Sequence, residues 1–181
     1  MYGPGGPLVP MQEAARHFGQ KSGISVKVTS GPEANWIEEA KQNADLVFGG
    51  AEYMLTNFSM QHQGLLDISS RVALYKRAAG ILVRPGNPKK ITSLKDLANS
   101  GVRILDVNGA GQLGMWEDLA GQQDLIPGIQ KNIKKSFPNT ALATEAWKSD
   151  STYDAWIIFA SWHFRLKDDT QLVKIPSSQT V

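Results

Sequence analysis

The feature that most constrains this chain is a succession that occurs twice. A short, uninterrupted apolar run is followed at once by glycines and then by the start of a helix. Leu46-Val47-Phe48 leads into Gly49-Gly50, and the apolar run 102–107 leads into Asn108-Gly109-Ala110-Gly111. A strand that is apolar on both faces is the kind buried inside a parallel sheet. Parallel strands need crossovers, which helices supply, so the succession implies an α/β chain with its functional loops where strands end. With 181 residues there is room for one domain or two small lobes.

Composition narrows the function classes. A hydrophobic fraction of 41% beside a charged fraction of 20% excludes a wholly disordered chain. Lys plus Arg is 19 and Asp plus Glu is 17, so the net charge of +2 fits neither a strongly basic nucleic-acid domain nor a polybasic membrane patch. No run approaches the ~18 apolar residues of a membrane span. Without cysteine there is no disulfide framework, thiolate metal site or cysteine nucleophile.

Along the chain, Leu8, Met11, Ala15 and Phe18 recur at helical spacing, with Pro7 and Pro10 tolerated near the start and Gly19 or Gly23 at the end. Ile24-Ser25-Val26-Lys27-Val28 alternates as a strand, and Thr29-Ser30-Gly31-Pro32 reads as a loop. Trp36, Ile37, Ala40 and Ala44 mark a short amphipathic helix, and residues 51–62 another. Residues 72–83 read as extended chain, closed by Pro85-Gly86-Asn87-Pro88. Ser93-Leu94-Lys95-Asp96 resembles a capping box with Asp in the Glu position. Leu113, Trp116 and Leu119 begin a helix, and Ile126, Ile129 and Ile133 define another that runs on to Lys135. A weaker helix at 141–147 and strands at 155–159 and 172–175 complete two α/β units.

The loops carry the chemistry. Gly109-Ala110-Gly111-Gln112-Leu113-Gly114 matches G-x-G-x-x-G, the dinucleotide fingerprint. A second strand ending in Asp or Glu should follow about 20 residues on, and the sequence there reads as helix ending in lysines. The loop then serves either as a tight turn or as a set of N–H groups that hold a small anion. Tyr2-Gly3-Pro4-Gly5-Gly6-Pro7 has the same chemistry before a helix, and Thr29-Ser30 and Gly49-Gly50-Ala51-Glu52 add two further strand ends. His17, His62 and His163 have no metal-ligand spacing, there is no G-x-S-x-G, and the Asp150/Asp154 pair reads as a solvated face. Arg77 stands before an apolar stretch and must find an anion, either Glu52 or a ligand carboxylate or phosphate. The five tryptophans read mainly as core.

The ordered set of loops resembles the type II periplasmic solute-binding proteins, and within them the accessory colonization factor AcfC-like branch. The resemblance rests on Tyr2 to Pro7, on Asn43-Ala44-Asp45-Leu46-Val47-Phe48-Gly49-Gly50-Ala51-Glu52-Tyr53-Met54, and on Ile81-Leu82-Val83-Arg84-Pro85-Gly86-Asn87-Pro88-Lys89. Asn108-Gly109-Ala110-Gly111-Gln112 with Trp116-Glu117-Asp118-Leu119, and Asp154-Ala155-Trp156-Ile157, extend it over nearly the whole chain. It implies a two-lobed α/β fold with a ligand cleft between lobes: lobe one at 1–76, an extended hinge crossing at 77–88, and lobe two at 89–181 with a return toward lobe one near the end. Both ends read as shortened relative to that family, from the abrupt Met1-Tyr2-Gly3 start to Ser177-Ser178-Gln179-Thr180-Val181.

The same resemblance implies an exported, periplasmic protein that is not an enzyme. It would bind a small anion such as sulfate, molybdate, phosphoglycerate or citrate, with a membrane transporter as partner and neither nucleic acid, cofactor nor metal. Ligand contacts would fall on Gly5, Gly6, Thr29, Ser30, Gly50, Ala51, Asn108, Gly111, Gln112 and Tyr153, with Glu52 and Arg77 added. Glu52 beside an anion suggests a ligand with a hydroxyl or amine to donate. The alternatives are a dinucleotide-binding enzyme using the loop at Gly109 to Gly114, or the ligand-sensing domain of a regulator.

Overall fold

The computed structural model describes residues 1–176, apart from the side chain of Ala110, and the chain divides after Leu74 into two compact units. The expected return of the chain at its C-terminal end concerns residues 177–181, which lie outside the described residues.

In the first unit, β1 (Tyr2–Gly3) lies parallel to β2 (Thr29–Ser30), and Tyr2 also bridges in parallel to Val47. Between β1 and β2 runs α1 (Leu8–Ser22), which stops at Gly23 in the left-handed conformation that glycine adopts without strain. A 3-10 turn at Glu33–Asn35 leads into α2 (Ile37–Asn43), and α3 (Glu52–Gln61) follows the third strand end. A second 3-10 turn, Ile68–Ser70, is capped by the Asp67 carboxylate, which accepts from the Ser69 N–H. The core is small: Tyr2, Trp36, Ile37, Ala40 and Phe58. Their rings form a chain, Tyr2 to Trp36 to Phe58 to His62, with centroids 6.1, 5.8 and 4.7 Å apart. Trp36 Nε1 donates to the Gly31 carbonyl at 3.2 Å, and His62 Nε2 pairs with Glu33 at 2.8 Å.

The second unit is built on a five-stranded sheet in the order β5-β4-β6-β3-β7. Its elements are β3 (Ala79–Val83), α4 (Leu94–Leu97), β4 (Ile104–Val107), α5 (Met115–Gly121), α6 (Ile126–Asn132), β5 (Ile133–Phe137), α7 (Thr140–Ser149), β6 (Ala155–Phe159), α8 (Trp162–Arg165) and β7 (Gln171–Lys174). β4 is parallel to β5 and β6, whereas β3 is antiparallel to β6 and β7. Alternation sorts the core onto two faces. Ile81, Val83, Ile104 and Ile157 meet Leu94, Leu97, Trp116, Leu119 and Ile129 of α4 to α6. Leu82, Leu105, Val107, Trp156 and Ile158 meet Ala143 and Trp147 of α7, with Leu166. Each such fully buried aliphatic or aromatic side chain contributes about 1.5–3 kcal/mol by leaving water.

Three expectations change. The alternating run 24–28 forms no strand, because the β1 ladder pairs only Tyr2 and Gly3, with Thr29 and Ser30. The helix predicted through Lys135 ends at Asn132, and Ile133–Phe137 pairs onto β4 as an edge strand. Residues 77–88, expected as an extended crossing, contain β3, which is hydrogen-bonded on both sides within the second sheet. The Asp96 box forms as predicted: its carboxylate accepts from the Ser93 N–H at 3.0 Å and from the Thr92 N–H at 2.9 Å.

Candidate functional site

In the first unit the fold gathers the loops that the sequence separates. β1, β2 and the Val47 segment run parallel, so Gly3, Ser30 and Phe48 end together: the Gly31 N–H donates to the Gly3 carbonyl at 3.0 Å and the Phe48 N–H to the Tyr2 carbonyl at 2.9 Å. Gly3 must be glycine here, since a Cβ would strike the Phe48 carbonyl. Beyond these ends come Gly5 and Gly6, then Gly31, then Gly50 and Ala51. A Cβ on Gly50 would lie 3.8 Å from both Pro4 and Pro7, which places the first and third loops side by side. A Cβ on Gly5 would meet nothing within 4 Å, so a molecule could approach the backbone there.

Each loop feeds a helix or 3-10 turn whose preceding residue, Pro7, Pro32 or Ala51, makes no side-chain cap. The positive ends of α1 and α3 therefore face this end of the unit without an oxygen from their own N-caps. Gly5, Gly6, Thr29, Ser30, Gly50, Ala51 and Glu52 are thus brought together.

Glu52, however, does not pair with Arg77. Its carboxylate takes Arg71, whose Nε donates to Glu52 Oε2 at 2.8 Å, while Nη2 bonds the same oxygen and the Glu52 carbonyl. Arg71 Nη1 donates to Thr56 Oγ1 at 2.9 Å, one turn along α3. Arg71 is the residue that the sequence missed. The signal was the Asp67-Ile68-Ser69-Ser70 turn, which fixes the backbone immediately before it.

In the second unit, Asn108, Gly111 and Gln112 follow the end of β4. The Asn108 N–H donates to the Phe137 carbonyl at 3.0 Å, and Gln112 Nε2 donates to Thr140 Oγ1 at 2.8 Å, where α7 starts. Gln112 is buried, and its Oε1 has no hydrogen-bond partner among the described residues. A Cβ on Gly109 would lie 2.5 Å from the Pro138 carbonyl oxygen, so that glycine is demanded by packing. The strand that follows, β5, ends at Phe137, and neither it nor the Pro138-Asn139 that follows offers a carboxylate for a ribose.

Arg77 lies at this same end of the sheet, because Ala79 pairs with Phe159. Its guanidinium sits 3.6 Å from the Phe159 ring centroid, and burial lowers its pKa from the usual arginine range. Tyr153 does not join this set. Register pairs Ile104 with Ala155, so Tyr153 precedes β6 at the opposite end of the strands, buried in the core, with its carbonyl accepting from Arg84 Nε at 2.7 Å. Among the described residues no cluster of His, Asp or Glu could hold a metal, and no helix is long and apolar enough to cross a membrane.

The family described as bacterial extracellular solute-binding protein matches residues 1–181. Peb3 from Campylobacter jejuni is similar at 35% identity and a TM-score of 0.86, over 99% of this chain and 81% of that chain. PEB3 bound to L-phospholactate is similar at 35% identity and a TM-score of 0.87, with the same coverage of 99% and 81%. The sulfate-binding protein SubI from Mycobacterium tuberculosis H37Rv shares the fold, with a TM-score of 0.72 at 18% identity over 97% of this chain and 70% of that one. No curated protein sequence matches the chain. The fold is that of the type II periplasmic binding proteins, and the relatives found are solute-binding proteins. The chain belongs to the bacterial extracellular solute-binding protein family.

Proposed function

We propose that this chain captures a small anionic solute in the periplasm and passes it to a membrane transporter of the ABC type. The observation that carries the reading is the gathering of three parallel strand ends and two helix starts around backbone that is open at Gly5. Neutral N–H groups and helix dipoles can replace the water around an anion at such a place. The proposed contacts are Gly5, Gly6, Thr29, Ser30, Gly50 and Ala51 in the first unit. In the second unit they are Asn108, Gly111 and Gln112, with Arg77 at the same end of its sheet.

An organic phosphate or small carboxylate is favoured over a bare inorganic oxyanion. A similar structure at 35% identity holds L-phospholactate, and Arg77 supplies a forked cation suited to phosphate or carboxylate.

The test is thermal melting with L-phospholactate, phosphoglycerate, citrate, sulfate and molybdate. At hundredfold excess over Kd a ligand adds about 2.7 kcal/mol, a rise of roughly 5–10 °C for a chain of this size. Flat melting curves across the whole panel would overturn the reading.

A further inference from the structure

A carboxylate at the first residue of α3 is a difficulty for the function just proposed. Glu52 follows Gly50 and Ala51 directly, so its charge lies within one residue of backbone proposed to meet an anion. Two like charges brought that close repel strongly, and the carboxylate competes for the same positive helix end. The structure shows how the charge is disposed of. Arg71 reaches the first turn of α3 with all three of its nitrogens engaged: Nε and Nη2 on Glu52, Nη1 on Thr56 Oγ1 at 2.9 Å. Its side chain is partly covered, 27% exposed against 67% for Glu52. The other acidic residue that follows these loops, Glu33, has a hydrogen-bonding partner in the His62 ring at 2.8 Å. The remaining loop residues, Pro4, Gly5, Gly6, Ser30, Gly31, Gly50 and Ala51, carry no formal charge.

We propose that Arg71 is a positioning residue for solute binding: by neutralising and holding Glu52 it makes the Gly50-Ala51 loop and the start of α3 able to accept an anion. The inference rests on the anion-binding reading above. It assigns Arg71 to Glu52 and not to the solute. The role depends on charge, so it separates from simple packing.

Calorimetric titration with L-phospholactate and with sulfate tests it, on the wild type and on Arg71→Met, Arg71→Lys, Glu52→Gln and the double variant Arg71→Met/Glu52→Gln. Circular dichroism and melting confirm that each variant is folded. Arg71→Met is expected to bind roughly tenfold or more weakly, the scale of an uncompensated like charge beside a ligand. Glu52→Gln is expected to bind more tightly than wild type. The double variant is expected to return to within about threefold of wild type, and Arg71→Lys to recover most of the loss because the charge remains. The Arg71→Met deficit should also shrink as salt is raised toward about 0.5 M, where exposed charges are screened.

If the wild type binds neither these two probes nor any other ligand of the melting panel, the reading of the site fails and the proposal fails with it. If the wild type binds and Arg71→Met binds equally well, the proposal alone is overturned. It is overturned too if the double variant stays as weak as Arg71→Met, since Arg71 would then contact the solute itself. An Arg71→Met variant that does not fold leaves Glu52→Gln to decide: tighter binding supports the proposal, and a tenfold loss overturns it.

Discussion

Arg84 sits over Trp147, its guanidinium carbon 3.9 Å from the ring centroid, while the same guanidinium donates to the Trp147 carbonyl at 3.0 Å. Its other nitrogens donate to the carbonyls of Asp150 at 2.6 Å and Tyr153 at 2.7 Å. One side chain at the end of β3 thus closes the C-terminal turn of α7 and pins the loop into β6. The Trp147 and Asp150 carbonyls are among those a helix end leaves without partners. Burial pulls the arginine pKa down and the Asp150 charge pulls it back up.

Replacing Arg84 by Met should therefore cost about 3 kcal/mol, from three lost charge-assisted hydrogen bonds and the stacking contact. Arg84→Lys should recover only part, because one ammonium cannot reach three carbonyls in a planar fork. Urea denaturation of the two variants checks this. A loss below about 0.5 kcal/mol for the Met variant would show that water serves the carbonyls equally well.

Glycines with different surroundings should respond differently. Gly109→Ala drives a methyl into the Pro138 carbonyl and should destabilise by about 1–3 kcal/mol. Gly5→Ala meets open space and should change stability by no more than about 0.5 kcal/mol. If solute approaches the backbone at Gly5, the same methyl should reduce the ligand-dependent rise in melting temperature. Equal melting shifts in Gly5→Ala and wild type would remove Gly5 from the contacts.

Two carboxylates predict opposite pH dependence. Asp96 accepts from the N–H and hydroxyl groups of Thr92 and Ser93, which hold its pKa below the ordinary value. Its contribution is present above the unfolded carboxylate pKa of about 4 and is lost as pH falls through the depressed folded value. Asp96→Asn should be less stable than wild type at pH 7, with the gap closing in acid. Glu117 is pushed up, first by burial and then by the charges of Asp106 and Asp118, and its Oε2 has no partner. Its ionisation costs the folded state at neutral pH, and stability returns as pH falls through the raised value. Glu117→Gln should be the more stable protein at pH 7, with that gap closing before pH 4. Denaturation midpoints across pH measure both.

Trp36→Phe keeps the ring between Tyr2 and Phe58 but removes the 3.2 Å bond from Nε1 to the Gly31 carbonyl. A loss of about 1–2 kcal/mol is expected. Hydrogen exchange should quicken at Gly31, whose N–H is held by the Gly3 carbonyl. Unchanged exchange there would show that the strand ends hold the loop without the indole.

Much of this was legible in the residues. Helical spacing located α1 through Leu8, Met11 and Ala15, and the segment after Gly49-Gly50 reads as the helix that is α3, between Ala51 and His62. The apolar, glycine-terminated run located β4, and the resemblance in the loops pointed to the family. What failed was non-local. Ile133 continues the spacing of Ile126 and Ile129, so nothing local shows that it leaves α6 and pairs with Ile104. Tyr153 reads like a loop residue near a strand, and only the register with β4 reveals that it lies at the far end. Arg71 and Arg77 occupy a stretch without periodicity, and the sequence does not say which one meets Glu52.

The outer strand β5 has a consequence of its own. Lys134, Lys135 and Ser136 are all exposed along it, and among the described residues it pairs only with β4. A further strand docking there would have to strip water from two ammonium groups without offering them carboxylates. The sheet is thereby self-terminating on that side, and the chain resists stacking into fibres through that strand.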